Sequence, residues 1–343
     1  MSGPGVSFVV TVHNGERWLA AALDGVLAQA DGRPFEVLAV DDGSTDGSRR
    51  ILDGYAAGGR VRVLDGERRG AASAMNLGIR TAAHEFVALV DQDVLLARGW
   101  LVALVKALSA GPEVAAAQGW YTTPKDAGVL ARVSGLDLEE RYSRITRPCV
   151  DHVCTGNSLY RKSALEKVGL LDPTFGYGLD NDLAYRLTRA GFTLRFCPEA
   201  QSEHRWRESL AGWVRQQYGV AYGRLDVVKA HPDHATGDQV SRLRMILHVP
   251  VFLCAVLSAV AAPLAALLGS SAGLLVSVSG TLFCALVLER AWAASRAWRL
   301  SRDFAAWAIP VVHLLRDAVW LVALFRWALD RALGKPRGPG ASM

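Results

Sequence analysis

Short apolar runs alternate with longer amphipathic stretches over the first 110 residues of the chain. The runs have the length of β-strands, and the stretches between them have the spacing of apolar positions that is typical of helices. The runs are Val6–Val12, Phe35–Asp42, Val61–Asp65 and Phe86–Asp93, and helices are predicted from about Glu16 to Ala28 and from near Thr45, Ala71 and Trp100. Strands that alternate with helices are typical of a parallel sheet. The pattern therefore predicts an α/β fold with a mostly parallel central sheet and helices on both faces.

The pattern from about residue 111 onward is less regular. Helices are predicted near Asp137 to Tyr142 and from about Asp182 to Ala190, and a helical connector is predicted from Glu208 to Val228. We assign residues 1–228 to one α/β domain and residues 229–243 to a linker.

The segment from Met245 to Leu288 contains 44 residues without Asp, Glu, Lys or Arg, and it is interrupted near its middle by Gly269, Ser270 and Ser271. Because roughly 20 apolar residues cross the hydrocarbon core of a bilayer, the segment is long enough for two spans. We predict a transmembrane helical hairpin at residues 244–288. The alternative is a buried pair of helices in a soluble protein.

Charge along the chain supports the hairpin. From Glu289 to the C-terminus there are nine Lys or Arg and four Asp or Glu, a net of +5 that equals the excess of the whole chain. Arginines at 242 and 244 precede the hairpin, and arginines at 290, 296, 299 and 302 follow it. The positive-inside rule places both flanks, and with them the N-terminal domain and the C-terminus, on the cytoplasmic side. We expect a multi-pass protein of the cell membrane.

The tail mixes these arginines with five tryptophans, Trp292, Trp298, Trp307, Trp320 and Trp327. Basic amphipathic helices of this kind bind anionic membrane surfaces. We predict membrane-surface helices at 289–334 that contact lipid, and a disordered tail at 335–343. A third span over 303–333 is the alternative. A basic stripe can also bind nucleic acid, but the apolar face favours lipid, and we expect no nucleic-acid partner.

The five cysteines show no zinc-binding spacing, and no cleaved secretory signal is apparent at the N-terminus. A reduced, cytosol-facing compartment is the simplest interpretation.

Two aspartates end the fourth apolar run, in the sequence VALVDQDV. Asp91 and Asp93 are two residues apart and project to the same side of a strand. Two carboxylates held together favour a hard divalent cation such as Mg²⁺ or Mn²⁺. The alternative is a solvated surface loop.

A similar acidic turn, VDDGSTDGS, follows the second run, with Asp41 and Asp42 at its start. A carboxylate there can accept hydrogen bonds from a nucleobase or a ribose, although a capping turn without a ligand is the alternative. The chain has neither the glycine-rich dinucleotide motif nor a P-loop, so a divalent ion would have to hold any diphosphate.

Taken together, these motifs resemble those of the family 2 glycosyltransferases, which have the Rossmann-like GT-A fold. The family's P-x-Y-N element appears as Thr11–Asn14, D-D-G-S-x-D matches Asp41–Asp46 in full, A-R-N-x-G appears as Ala74–Gly78, and the DxD motif is Asp91–Asp93. Downstream, residues 156–192 resemble the family's G-x-N-x-x-x-R, v-G-x-F-D and E-D-x-D-L-x-x-R elements. The resemblance covers roughly residues 6 to 205.

The resemblance implies a role for each matched position. Donor binding is implied for Thr11, His13, Asn14, Glu16, Asp41, Asp42, Ser44, Asn76, Asp91, Gln92 and Asp93, metal binding for Asp93 and His204, and general-base catalysis for Asp180. Leu179 occupies the place of the Glu in the family's E-D element. Asp180 could instead cap the following helix, and His204 could be an ordinary surface or core residue.

The resemblance further implies an inverting, metal-dependent glycosyltransferase that uses a nucleotide-diphospho-sugar. The Q-x-x-R-W motif of processive synthases is missing from Arg215–Leu225. We therefore expect non-processive transfer to a lipid-linked or other membrane-proximal acceptor of the cell envelope, with the acceptor surface within 119–152. The alternatives are a nucleotidyltransferase and a membrane scaffold whose sugar site has decayed.

Overall fold

The computed structural model describes residues 3–241 and 243–335. The predicted tail at 335–343 lies outside these residues except for Lys335. A mixed β-sheet forms the centre of the N-terminal domain. Its strands are β1 (Val6–Val12), β2 (Phe35–Asp41), β3 (Arg62–Asp65), β4 (Phe86–Asp91), β5 (Val94–Leu96), β6 (Val114–Thr122), β7 (Cys149–Val150), β8 (Asn157–Arg161) and β9 (Thr193–His204).

The strand order is β3-β2-β1-β4-β8-β6-β9-β5, and β7 pairs with β9. The prediction of parallel pairing is confirmed for β3, β2, β1 and β4. Beyond β4 the sheet is mixed, because β8 runs antiparallel to both β4 and β6 while β9 runs parallel to β6. Hydrophobic patterning reports the burial of a strand and not its direction, so the sequence did not reveal this change.

The helices of the described chain are α1 (Leu19–Leu27), α2 (Ser48–Ala57), α3 (Ala71–Thr81), α4 (Trp100–Leu108), α5 (Val129–Tyr142), α6 (Lys162–Lys167), α7 (Leu179–Arg189), α8 (Leu210–Ala230), α9 (Leu243–Leu267), α10 (Gly273–Ser301) and α11 (Ile309–Ala332). Right-handed crossovers between parallel strands place α1 and α2 on one face of the sheet and α3 on the other. The predicted helices from Thr45 and Asp182 begin at Ser48 and Leu179 instead. Asp180 therefore lies in the first turn of α7.

The register of the parallel strands aligns their carboxyl ends. Val12 of β1 lies opposite Asp41 of β2, and Thr11 lies opposite Asp91 of β4. The strand interiors are buried on both faces, with Phe8, Val9 and Leu89 at most 1% exposed. Burial of these apolar side chains stabilises the sheet and holds the polar strand ends at one edge.

Three helices, α9, α10 and α11, are long and apolar enough to cross a membrane. The first two form the predicted hairpin, with Gly269 at positive φ in the turn between them. α10 continues without a break past residue 288, where the hairpin was predicted to end. Its second half packs against α5, where Arg296 Nε donates to Glu140 Oε1 at 2.6 Å.

Candidate active site

A cleft of about 1400 Å³ opens at the carboxyl ends of β1, β2 and β4. This is the edge at which ligands bind in open α/β sheets. Eight of the residues singled out from the sequence line it, namely Thr11, His13, Asp42, Asp91, Gln92, Asp93, Asp180 and His204. The fold therefore brings the predicted carboxylates and the histidine together around one space.

The pKa values of the two carboxylates of the DxD motif are shifted in opposite directions. Burial, together with the nearby charge of Asp93, raises the pKa of Asp91 to about 6. Burial would also raise the pKa of Asp93, but the charge and hydrogen bond of His204 and the charge of Arg207 lower it overall. Asp93 is thus the member of the pair that stays ionised most readily.

His204 is held beside Asp93 by strand pairing. It ends β9 and lies opposite Val94 of β5, which places its Nε2 3.4 Å from Asp93 Oδ1. The imidazole packs against Tyr121 and Trp206, with ring centroids 5.0 and 3.9 Å away. Its Nδ1 is buried, and the described residues supply no hydrogen-bond partner for it.

These residues fit a divalent cation that shares its coordination with a substrate. Within the described ranges, no group of three or more His, Cys, Asp or Glu side chains forms a complete metal site. Mg²⁺ bound to nucleotides typically uses one or two carboxylates of the protein together with phosphate oxygens of the substrate. Asp93 and His204 supply two adjacent ligands of suitable chemistry, and Asp91 lies two residues away.

The second acidic turn contributes an unsatisfied carboxylate oxygen. The backbone N–H of Asp42 donates to Val12 O at 2.8 Å, and its Oδ2 accepts from the N–H of Gly70 at 2.8 Å. These bonds fix the side chain at the cleft. Asp42 Oδ1 is buried without a hydrogen-bond partner among the described residues, and it lies against Gly66, where an added Cβ would be 2.7 Å away.

His13 and Gln92 form the cleft wall between Asp42 and the DxD motif. Gln92 Oε1 accepts from the N–H of His13 at 2.9 Å, and Gln92 Nε2 donates to His13 O at 3.0 Å. This paired hydrogen bond ties the loop after β1 to the middle residue of the motif. Both side chains are thereby kept at the cleft.

Four of the predicted donor-binding residues connect loops and do not line the cleft. Asn14 Oδ1 accepts from the N–H of Thr45 at 2.8 Å, Ser44 Oγ accepts from the N–H of Asn14 at 3.1 Å, Asp41 Oδ1 accepts from the N–H of Ser44 at 2.9 Å, and Glu16 Oε2 accepts from the N–H of Gly47 at 2.6 Å. The bonds of Asn14, Ser44 and Glu16 hold the loop after β1 against the loop after β2, and the bond of Asp41 closes the turn within the second loop. The four side chains therefore support the shape of the site.

Asn76 lies in the core, away from the cleft. Its Nδ2 donates to Leu171 O at 2.8 Å, and its Oδ1 accepts from the N–H of Leu171 at 3.0 Å. Both polar ends of the amide are used to join α3 to a loop 95 residues later in the chain. In this structure Asn76 is not placed to contact a ligand in the cleft.

Asp180 faces the cleft from the first turn of α7. Its Oδ1 accepts from the N–H of Asn181 at 2.9 Å, and its Oδ2 lies 3.4 Å from His152 Nε2. Burial would raise the pKa of Asp180, but the hydrogen bond and charge of His152 lower it. Gly178 occupies the N-cap position of α7. The sequence did not single out His152, because no motif marks a lone histidine.

The cleft continues beyond Asp180 to the C-terminal helices α9 and α11. Its far wall contains Val133, Ser134, Asp137 and Arg141 of α5, Met245 and Ile246 of α9, and Val312, His313, Arg316 and Trp320 of α11. The α5 residues and His152 fall within the predicted acceptor surface at 119–152. α9 and α11 reach the cleft through contacts between residues more than 100 positions apart in the chain. No local sequence pattern predicts such contacts.

Comparisons with known proteins agree with this geometry. Residues 7–169 match the family model for glycosyl transferase family 2. The chain is 32% identical over 246 residues to the pre-mycofactocin glycosyltransferase of Mycobacterium tuberculosis, covering 68% of this chain and 50% of that protein. It is 22% identical over 232 residues to the poly-beta-1,6-N-acetyl-D-glucosamine synthase of Staphylococcus epidermidis, covering 65% of this chain and 55% of that protein. The chain thus spans about half the length of these curated relatives.

The fold is similar to that of a mannosyltransferase from Pyrobaculum calidifontis solved in complex with GDP-Man and Mn²⁺. The two structures superpose with a TM-score of 0.59 over 98% of this chain and 90% of that one, at 19% sequence identity. This likeness shows a shared GT-A fold. The family model and the curated relatives establish that the chain belongs to the family 2 glycosyltransferases.

Proposed function

We propose that the protein is an inverting, metal-dependent glycosyltransferase that moves a sugar from a nucleotide-diphospho-sugar to a hydroxyl of a membrane-proximal or lipid-linked acceptor. The observation that carries this proposal is the convergence of Asp42, Asp93 and Asp180 on one cleft. These residues come from three separate sequence motifs. Their meeting is what a site for donor, metal and acceptor requires.

The nucleoside would bind at the end of β2. Asp42 lines this end of the cleft, and its carboxylate would accept a hydrogen bond from a base or a ribose. Thr11, His13 and Gln92 line the adjoining wall. The diphosphate would lie at the DxD motif, where Asp93 and His204 would hold Mg²⁺ or Mn²⁺. The metal in the structurally similar mannosyltransferase complex supports this assignment.

Asp180 would act as the general base. An acceptor hydroxyl is a poor nucleophile until its proton is removed, and a carboxylate within reach contributes roughly 10²- to 10⁴-fold to the rate. The lowered pKa of Asp180 keeps this group ionised near neutral pH. A divalent cation, when bound, stabilises the negative charge that develops on the departing diphosphate. Attack in a single displacement inverts the configuration of the sugar carbon.

The membrane arrangement is proposed from the two faces of α11. One face is hydrogen-bonded along α8, through Trp320 to Gln217 at 3.2 Å, Trp327 to Asp226 at 2.9 Å, and Tyr222 to Asp330 at 3.2 Å. α8 also carries Arg215, Arg224 and Lys229. A helix with so many charges is costly to place in hydrocarbon, so its partner α11 would also stay outside.

The opposite face of α11 is an apolar stripe. It contains Val311, Leu315, Val322, Phe325 and Leu329, which are 38–71% exposed and recur mostly at intervals of three, four or seven residues. A helix with this pattern and basic flanks lies in the plane of the bilayer interface. In this arrangement the hairpin of α9 and α10 anchors the chain in the cell membrane and the catalytic domain is cytoplasmic, with its cleft next to the lipid.

Non-processive transfer remains part of the proposal. The Q-x-x-R-W motif is missing from Arg215–Leu225. The relatives include both a poly-beta-1,6-N-acetyl-D-glucosamine synthase and a pre-mycofactocin glycosyltransferase. We expect products that carry one or a few added sugars.

The test is Asp180→Asn in membranes supplied with a panel of nucleotide sugars. Loss of the base should lower sugar transfer by roughly 10²- to 10⁴-fold, while nucleoside diphosphate binding measured by calorimetry with Mn²⁺ is retained. Asp233→Asn, at a side chain that is 86% exposed, is the control and should behave as wild type. Wild-type turnover in Asp180→Asn would remove the base assignment.

A further inference from the structure

We infer that His152 is a positioning residue for Asp180, and that its imidazolium holds the carboxylate ionised and turned toward the acceptor. The inference rests on the proposed role of Asp180 as the general base. His152 belongs to none of the motifs through which the family was recognised. It is brought to Asp180 by the short strand β7, which pairs with β9 and ends two residues before it.

The geometry of the pair is that of a buried ion pair open to the cleft. His152 Nε2 lies 3.4 Å from Asp180 Oδ2, and the two side chains are 14% and 29% exposed. In the described part of the chain, Nε2 has no other partner, and its contact with Asp180 is longer than a well-formed hydrogen bond. A separation of this length is common for catalytic hydrogen bonds before substrate binds, and such bonds shorten in the productive complex.

The surroundings explain why Asp180 needs a cation. The cleft also contains Asp91 and Asp93, and the charge of Asp180 is one cause of the raised pKa of Asp91. Gathered carboxylates favour protonation of one member. The acidic side chains around the pair are Asp91, Asp151, Asp238, Cys154, Tyr142 and Tyr160. Arg141, Arg207, Arg224 and His204 are cations that line the same cleft. His152 is the cation whose charge and hydrogen bond lower the pKa of Asp180.

The same surroundings keep His152 charged. Burial would lower its pKa, but the hydrogen bond and charge of Asp180, with the charges of Asp238 and Asp151, raise it above the ordinary value of 6.5. The protonated form of His152 is thereby favoured. Each member of the pair therefore stabilises the charged form of the other.

The segment that leads into the first membrane helix fixes both members of the pair. The N–H of Gln239 donates to Asp151 Oδ1 at 3.3 Å, next to His152 in sequence. Asn181 Nδ2 donates to Asp238 Oδ2 at 3.4 Å, next to Asp180. Asp238 is itself anchored, because its Oδ1 accepts from the N–H of Ser241 at 2.6 Å. The 229–243 linker thus holds the two residues that adjoin the base and its partner in sequence.

The proton balance gives His152 a supporting part in the reaction. The acceptor O–H bond breaks as the new bond to the sugar carbon forms, the proton passes to Asp180, and the electron pair of the broken glycosyl bond leaves with the diphosphate. His152 exchanges no proton with the substrate. It stabilises the ionised Asp180 before transfer, and it orients Oδ2 so that the carboxylate does not rotate away.

The direct test is a histidine NMR titration of the full chain in lipid nanodiscs. The resonance of His152, assigned by its loss in His152→Gln, should titrate above pH 6.5 in the wild type and at lower pH in Asp180→Asn, where burial acts without the partner charge. His231, which lies 2.8 Å from Asp182, is the internal control and should not respond. An unchanged His152 titration in Asp180→Asn would overturn the inference, whether or not the protein shows turnover.

The pH dependence of sugar transfer separates electrostatic support from a merely structural role. Without the imidazolium the pKa of Asp180 rises, so His152→Gln and His152→Ala should move the acidic limb of kcat/KM toward higher pH and regain activity at alkaline pH. Gln keeps a hydrogen-bond donor and should retain more activity than Ala. Equal loss at every pH in both variants would contradict the inference. Normal turnover in Asp180→Asn would instead contradict the proposed base.

Discussion

His204 Nε2 lies 3.4 Å from Asp93 Oδ1 although the two residues are 111 positions apart in the chain. The pairing of β9 with β5 creates this contact, because His204 lies opposite the residue that follows Asp93. A carboxylate with a lowered pKa next to an imidazole with a free buried nitrogen is a suitable pair of ligands for a divalent cation.

The first prediction concerns this pair. Asp93→Asn and His204→Ala should each weaken Mn²⁺-dependent binding of a nucleoside diphosphate by at least about tenfold, since a ligand to the bridging ion is lost. Calorimetry with Mn²⁺ and with EDTA checks this. Chelation should weaken binding of the diphosphate far more than binding of the nucleoside alone. The exposed Asp53→Asn on α2 is the control, and equal affinity in all variants would contradict the metal assignment.

Asp42 is predicted to recognise the nucleoside. Asp42→Ala removes the carboxylate at this end of the cleft and should weaken binding of both the nucleoside and the nucleoside diphosphate by about 1–3 kcal/mol. This loss of affinity should persist in EDTA, whereas the losses of affinity in Asp93→Asn and His204→Ala should not. Calorimetry distinguishes the two cases. Unchanged nucleoside affinity in Asp42→Ala would show that the nucleobase and ribose bind elsewhere.

Gly156 leaves the space that the Asp91 side chain occupies. A Cβ at this position would lie 2.1 Å from Asp91 Oδ2 and 2.9 Å from the hydroxyl oxygen of Tyr121. Gly156→Ala should therefore displace Asp91, destabilise the fold by about 1–3 kcal/mol and weaken donor binding. Thermal unfolding and calorimetry provide the two measurements.

Gly54→Ala is the matched control for Gly156→Ala, because a Cβ there meets no atom within 4 Å. Alanine in the interior of α2 should raise stability by about 0.5–1 kcal/mol. It should leave donor binding unchanged. Equal behaviour of the two variants would show that the close approach of Gly156 to Asp91 has no consequence for the site.

Spin labels that report depth in the bilayer can show whether α11 lies in the interface or crosses the membrane. Val311 and Leu329 are 18 residues apart, about 27 Å along a helix at 1.5 Å per residue. If α11 lies in the interface, spin labels at Val311→Cys and Leu329→Cys, in a chain without its native cysteines, should have equal depths in nanodiscs. A label at Val102→Cys on the exposed face of α4 should report bulk water. Depths that differ by most of the helix length would show a third span.

Much of the catalytic domain could be predicted because its signals are local. Continuous apolar runs identified the buried strands β1, β2 and β4, and the carboxyl ends of parallel strands necessarily meet at one edge. Parallel pairing of these strands is what brings Asp42, Asp91 and Asp93 to one edge of the sheet. Strand direction beyond β4 was not predictable, because an antiparallel β8 and a parallel one have the same burial pattern.

Other parts of the site depend on long-range contacts. Asn76 matches a motif position, yet both ends of its amide bond to Leu171, a contact that sequence spacing does not reveal. His152 carries no pattern at all. The approach of α11 to the cleft depends on its hydrogen bonds to α8, about 100 residues earlier in the chain. Motifs identify what a family shares, whereas these residues shape what is particular to this chain.

The most direct test of the central claim is the release of nucleoside diphosphate by the purified full chain in nanodiscs, supplied with Mn²⁺ and a panel of nucleotide sugars. At least one donor should yield its nucleoside diphosphate and the corresponding sugar, at a rate that falls by roughly 10²- to 10⁴-fold in Asp180→Asn and disappears in EDTA. Absence of release from every donor, or release of pyrophosphate from nucleoside triphosphates instead, would contradict the account.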